Sequence, residues 1–365
     1  MRLVNLRLSN FRNAEFADIG FDGTRIFLFG ENGQGKTNLL EALSLLTAVR
    51  SFKTRDIRRV VRHGEKIAQV AVELEHEREG NTRIIFGISS AGTKSVELGT
   101  GTPVKKMNEF VGRFPVVVFS SDDIMLLRGS PGTRRRWFDV MFSALDPEYL
   151  ANLQRYYRAL ESRNKILKDR DNNAGSDFSC RAFEKILAET GVFLAAARER
   201  ETQELNAEFS AVAERILATN DAAPRLSYVG NVEARDARSW EHIFEVSRRV
   251  DRLCGATQKG IHRDDYLVKI FGKSAADFAS EGQQRGLALA LGLAQLSLFR
   301  RKSKIAPVAL ADDVLSELDP RRRENFWREV GDDLQVVATG TQLPADAAKW
   351  QIYSVKNGKY EKWES

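Results

Sequence analysis

The chain has 365 residues, 42% of them hydrophobic, with a formal net charge of +6 and a pI near 9.2. That length holds two domains, or one large domain with an insertion, and the mild basicity permits a nucleic-acid partner without requiring one. The two cysteines, Cys180 and Cys254, make neither a zinc site nor a disulfide framework, so a reduced compartment is expected.

The first residues, MRLVNLRLSNFRN, lack a continuous apolar stretch and do not read as a secretion signal. Leu3, Leu6 and Leu8, set among Arg2, Asn5 and Arg7, predict an opening strand. Arg25–Phe29 predicts a second strand ending in glycines, followed by a helix over 38–49 with Leu39, Leu43 and Leu46 on one face. Residues 68–75 and 82–88 alternate apolar with polar side chains about Gly80-Asn81, which predicts a hairpin. A short buried strand is expected at 116–119. The pattern then changes. Leu150, Leu153, Tyr157, Leu160, Asn164 and Leu167 recur at spacings of three and four; a turn-rich stretch follows at 169–177; a second helical pattern runs from Phe183 to Ile216. Two long helices joined by a polar turn predict an antiparallel helical hairpin. After Pro224 the pattern is mixed to about Gly255, and then helix and strand alternate, with buried strands at 308–311 and 335–339. The longest apolar run, Leu287 to Phe299, carries Gln295 and Ser297 and is too short to span a bilayer. The expectation is a cytoplasmic α/β head, residues 1–120 and 256–365, split by a helical arm, residues 121–255, with no membrane contact.

The most specific stretch is GENGQGKT: Gly30, Glu31, Asn32, Gly33, Gln34, Gly35, Lys36 and Thr37. It fits G-x-x-x-x-G-K-[ST] between a strand and an amphipathic helix. Glycines let the backbone curl so that its N–H groups face phosphate oxygens. Lys36 supplies charge to the β- and γ-phosphates of ATP, and the Thr37 hydroxyl can ligate Mg²⁺. A dinucleotide fingerprint is disfavoured because position 38 is asparagine, not glycine. The loop needs an acid at the end of another buried strand, and Val308-Ala309-Leu310-Ala311-Asp312-Asp313 supplies it. Asp312 is placed to hold Mg²⁺ and Asp313 to orient the attacking water, so Lys36 and Asp313 are the catalytic candidates.

Ser280-Glu281-Gly282-Gln283 opens the apolar helix that follows. Ser280 and Gln283 fit a capping box, but a helix start also suits a phosphate. The order of phosphate loop, Ser280–Gln283, Asp-Asp strand and Ser316-Glu317-Leu318-Asp319 resembles the ABC-type ATPases. The resemblance implies that Ser280, Gly282 and Gln283 form the signature motif and bind the γ-phosphate of ATP held by an opposite subunit, with Ser316–Asp319 as the D-loop. A closer likeness rests on LRLSNFRN, GENGQGKTNLLEAL, RSFKTRDIRRVVRHG, LLRGSPGTRRRWFD, GIHRDD, SEGQQRGLALALGLAQ and DDVLSELD. In combination these resemble the RecF family of SMC-type ATPases over nearly the whole chain. That resemblance implies binding of ATP and DNA, an ATP-dependent homodimer, slow hydrolysis, and work with RecO-like and RecR-like partners to load recombinase at gapped DNA. It also leaves departures: Ile261 where the family usually has proline, no histidine after the strand at 335–339, and no assignable Q-loop glutamine.

Basic clusters at Arg58-Arg59 with Arg62, at Arg134-Arg135-Arg136, at Lys165/Lys168/Arg170 and at Arg321-Arg322-Arg323 suit backbone phosphates without reading sequence, or are solvated helix faces. Trp137 can stack on a base or sit in a core. His262 can bear on the nucleotide site or make a structural hydrogen bond, and Arg12 and Asn13 can meet adenine or ribose or form a surface turn. Two other readings use the same loop: a transporter's ATP subunit, which would carry a histidine after the late strand and a shorter helical subdomain, and a small-molecule kinase, which needs no Ser-x-Gly-Gln helix.

Overall fold

In a computed structural model, which describes residues 1–99, 101–168, 176–218 and 222–363, the opening alternation becomes the strand Arg2–Phe11, and the chain returns at once through Ala14–Gly20. The return strand is faint in the sequence because its inward residues include the small Ala14 and Ala17 while Phe16 faces out. The expected hairpin forms from Ile67–His76 and Gly80–Ser89. With Lys94–Leu98 and Thr102–Pro103 these strands make a six-stranded antiparallel sheet.

A second six-stranded sheet runs Lys359–Lys362, Gln351–Lys356, Arg25–Phe29, Val336–Gly340, Val308–Asp312, Val116–Ser120. All neighbours are parallel except the first pair. Val308 to Ala311 are buried without alternation, as in a parallel sheet covered on both faces.

The helix Lys36–Ala48 is more enclosed than a one-faced pattern suggests. Leu39, Leu40, Leu43, Leu45 and Leu46 are all fully buried. They share one core with Leu6, Leu8, Val70 and Ile84 of the antiparallel sheet and with Ile26, Leu28 and Leu310 of the parallel one. A helix apolar all round is a buried helix. At roughly 1.5–3 kcal/mol per buried leucine, this packing fixes the element that carries Lys36 and Thr37.

The chain divides into two compact units, residues 1–123, 215–218 and 285–365 in one, residues 124–214 and 219–284 in the other. The division departs from the sequence expectation at 256–284, which fall in the second unit. The cause is a three-stranded sheet within that unit, where Asp265–Ile270 pairs with Arg225–Val229 and with Lys273–Ser274.

The second unit contains Pro131–Leu145, Pro147–Lys168, most of Ser176–Leu217, and Ala237–Cys254. Arg163 bonds Glu184 at 3.0 Å, while Tyr149 bonds Arg198 at 3.0 Å. The pairs run in opposite order along the two long helices, so these form the antiparallel hairpin. Both arginines are fully buried and doubly paired, Arg163 with Glu184 and Asp251, Arg198 with Asp139 and Asp264. The turn-rich stretch at 169–177 lies largely outside the described residues, and so does Arg170.

Candidate functional site

The phosphate-loop sequence leaves the strand Arg25–Phe29 at Gly30 and enters the helix at Lys36. Gly35 takes φ +115° and lies against Asn13, where a Cβ would come within 2.8 Å of Oδ1. A Cβ on Gly30 would stand 2.4 Å from the Val355 carbonyl oxygen. Both positions therefore need glycine for the loop to keep its curl.

Two outside segments hold the loop. Asn13 donates to the Gln34 carbonyl at 3.0 Å and accepts from Asn38 at 2.8 Å. The Gly358 N–H reaches the same Gln34 carbonyl at 2.8 Å, and the Asn357 N–H reaches its side-chain oxygen at 2.8 Å. Tyr360 donates its hydroxyl to the Gly35 carbonyl at 2.8 Å. A loop braced at so many points is preorganised.

Lys36 is buried, and its Nζ donates to the carbonyls of Gly30 at 2.7 Å and Glu31 at 3.0 Å. Thr37 donates its hydroxyl to Asp312 Oδ1 at 2.8 Å, although 275 residues separate them. Sheet order makes the contact, because Asp312 ends a parallel strand separated only by Val336–Gly340 from the strand that leads into the loop. Thr339 donates to the same Oδ1 at 3.1 Å and accepts from the Asp313 N–H at 2.9 Å. Burial raises the Asp312 carboxyl pKa; the Thr37 bond and the charge of Lys53 oppose this, and the adjacent Asp313 reinforces it. Asp313 itself adopts φ +55°, an uncommon conformation for a residue other than glycine. Ser316 donates to the Asp313 carbonyl at 2.6 Å.

The donor set fits a magnesium–nucleotide complex. A threonine hydroxyl and a carboxylate within hydrogen-bond distance are a hard-oxygen pair of the kind Mg²⁺ takes. The loop glycines and Lys36 provide N–H donors and a cation beside them.

Ser280, Glu281, Gly282 and Gln283 belong to the second unit, whose boundary falls within the helix Glu281–Ser303 after Gln284. Here the capping box forms. The Ser280 N–H donates to the Gln283 side chain at 2.8 Å, and the Gln283 N–H to Ser280 Oγ at 3.3 Å. Just inside the first unit, Arg285 pairs with Glu317, which also accepts from Ser121 at 2.8 Å. The strand that ends beside Asp312 stops at Ser120, with no glutamine in that position.

Other sequence candidates acquire partners. Arg12 grips the buried Glu41 through two bonds, 2.7 and 2.6 Å, and the Arg59 carbonyl at 2.9 Å, so it braces the loop helix. Arg58 pairs with Asp56, Arg62 with Glu15 and Arg134 with Asp265. Arg135 donates to the Asp264 carbonyl, and Arg323 to the Leu318 carbonyl. Trp137 packs edge-on against Phe138. His262 lies between the Tyr156 hydroxyl and the Thr257 carbonyl, 2.9 Å from each, and burial lowers its pKa to about 4. Lys53, Thr339 and the 357–360 segment are what sequence reasoning missed. Of these only Thr339 carried a signal, as a hydroxyl at the end of a predicted buried strand.

Comparisons with known proteins place this geometry. The family model described as RecF/RecN/SMC N terminal domain matches residues 2–352. Proteins named DNA replication and repair protein RecF, from Synechococcus sp. strain JA-2-3B'a(2-13) and from Rippkaea orientalis, are each 33% identical over 98% of this chain, covering 97% and 99% of theirs. A solved structure of the recombination mediator protein RecF with ATP, in the RecFOR pathway, superposes with a TM-score of 0.91 at 27% identity, covering 100% of this chain and 98% of that one. An SMC head bound to the C-winged helix domain of ScpA shares the fold, with a TM-score of 0.54 at 16% identity over 100% of this chain and 98% of that one.

Proposed function

The chain belongs to the RecF family, and from that premise we propose an ATP-dependent DNA-binding protein of recombinational repair and replication restart, acting in the cytoplasm. It is an ATPase. Two copies join around ATP and clamp DNA near single-strand gaps, and slow, DNA-stimulated hydrolysis times their release. RecR-like and RecO-like proteins are its partners in loading recombinase.

The observation that carries the reading is the Thr37–Asp312 contact of 2.8 Å beside the braced loop. In this reading Gly30 to Thr37 cradle the phosphates with backbone N–H groups. Lys36 would give its Nζ to phosphate oxygens in place of the two carbonyls, and Thr37 and Asp312 would hold Mg²⁺ through their side-chain oxygens. Bound Mg-ATP supplies the phosphoanhydride that is hydrolysed. Asp313, steadied through its N–H by Thr339, orients the attacking water. Ser280, Gly282 and Gln283 meet the γ-phosphate of nucleotide held by a second copy. Such a ligand favours the dimer by the difference in its affinity for the two states.

The test is phosphate release with and without DNA. Stimulation by DNA of unrelated sequence, weakening with salt, supports the reading. Hydrolysis indifferent to any DNA counts against it.

A further inference from the structure

Phe271 combines an unfavourable backbone conformation with an exposed aromatic ring. Phe271 and Gly272 alone join Asp265–Ile270 to Lys273–Ser274, and both have positive φ, +50° and +71°. Two-residue hairpin turns of this kind favour Asn-Gly, and a bulky residue in the left-handed region is strained. Yet Phe271 is 51% exposed, so little packing offsets the strain. The backbone is nonetheless pinned, since the Phe271 N–H donates to the Ala222 carbonyl at 2.7 Å. Phe278 is 63% exposed, with Lys273 Nζ 4.8 Å over its ring, but Lys273 pairs with the buried Ile270 and so lies on the other face from Lys269.

Cations line the same small sheet. Lys269 stands directly opposite Arg225, both exposed, and like charges so paired destabilise a sheet. Neither has an ion-pair partner among the described residues. Leu267, on the same face as Lys269, is 36% exposed. The acid of that strand, Asp265, is bound by Arg134 through two bonds, 2.6 and 2.8 Å. Asp277 and Glu281 are exposed acids close by in sequence, and Glu281 stands 4.0 Å from Arg128.

The geometry points to a platform for single-stranded nucleic acid, with Phe271 stacking on a base and Arg225 and Lys269 meeting the backbone phosphates. An exposed ring beside unpaired cations is what an unpaired strand recognises. A duplex hides its base faces and gains nothing from the ring. The assignment rests on the DNA-binding reading above and gives that activity a surface.

The experiment compares full-length wild type, Phe271→Asn and the double variant Arg225→Ala/Lys269→Ala. Each is titrated with labelled oligothymidine and with a duplex, in Mg-ATP, across a salt series, beside thermal unfolding and light scattering. Phe271→Asn is expected to raise the unfolding temperature, because asparagine suits this turn, while weakening oligothymidine binding about tenfold and sparing the duplex. Removing two cations should lower the logarithmic salt slope for single strands by about 1.4. Oligothymidine affinity unchanged in Phe271→Asn would overturn the platform. So would a loss of ATP-dependent dimerisation with DNA binding intact, which would make this patch a face between two copies. A wild type that binds duplex but not oligothymidine sinks the platform alone; one that binds neither sinks the DNA-binding reading beneath it.

Discussion

Arg12 is one of the residues for which the sequence leaves two roles open, and its geometry makes the choice measurable. Its guanidinium gives two bonds to Glu41, whose side chain has no exposed surface. Glu41 otherwise accepts from Ser51. In Arg12→Ala the carboxylate keeps the hydroxyl but loses the only cation bonded to it among the described residues. Breaking a buried pair by removing one partner costs about 3–5 kcal/mol; the 22% exposure of Arg12 puts the expectation at the lower end, about 3 kcal/mol. In a domain of 150–250 residues each kcal/mol moves the melting temperature by about 2–4 °C, so the first unit should melt roughly 6–12 °C lower. The assay is thermal unfolding followed by circular dichroism, with and without Mg-ATP, beside nucleotide titration. Arg12→Leu combined with Glu41→Leu should recover most of the loss, since a well-packed apolar pair often replaces a buried ion pair without cost. If Arg12→Ala melts as wild type and instead loses nucleotide affinity, the brace is the wrong account and the base contact the right one.

Lys36→Met should depress turnover by about 10²–10³-fold, the usual effect of removing one preorganised donor from a developing charge; phosphate release at the wild-type rate would refute its role. Asp313→Asn should keep nucleotide affinity and abolish most turnover, and equilibrium titration beside single-turnover kinetics separates the two effects. His262 has a folded pKa of about 4 against an ordinary 6.5. The unfolded chain therefore binds the extra proton between those values, and stability present above pH 6.5 is lost as pH falls toward 4. Unfolding of the second unit followed from pH 7 to 4 should show that slope in wild type and a flatter one in His262→Gln; identical slopes would place the titration elsewhere.

The loop was legible because its chemistry is local: eight consecutive residues fix the curl, the cation and the hydroxyl. Asp312 and Asp313 were legible because Val308 to Ala311 are apolar without alternation, which suits a strand covered on both faces. What the sequence hides is whatever depends on strand order. Nothing about Lys53 or Asn357, and at Thr339 only a hydroxyl ending a predicted strand, announces that three separate segments converge on the loop and its acid. The sheet formed by Arg225–Val229, Asp265–Ile270 and Lys273–Ser274 is hidden for the same reason, its strands being short and its main partners about forty residues apart in register, as Lys269 and Arg225 are. Missing it moved the expected boundary of the helical arm. The capping box was local again, and Ser280 and Gln283 form it as their spacing implies.

Ser280→Arg tests the central claim most directly, because only the dimer reading gives Ser280 work across a subunit boundary. As a cap alone, its loss costs about 1 kcal/mol and leaves assembly untouched. As a ligand to nucleotide held by a second copy, arginine there fills the space the γ-phosphate needs. The measurement is light scattering of wild type and Ser280→Arg with and without Mg-ATP, beside nucleotide titration of each. The account predicts a variant that binds ATP through its own Gly30–Thr37 loop, stays monomeric and does not turn over. A variant that binds ATP and dimerises as wild type does would contradict it.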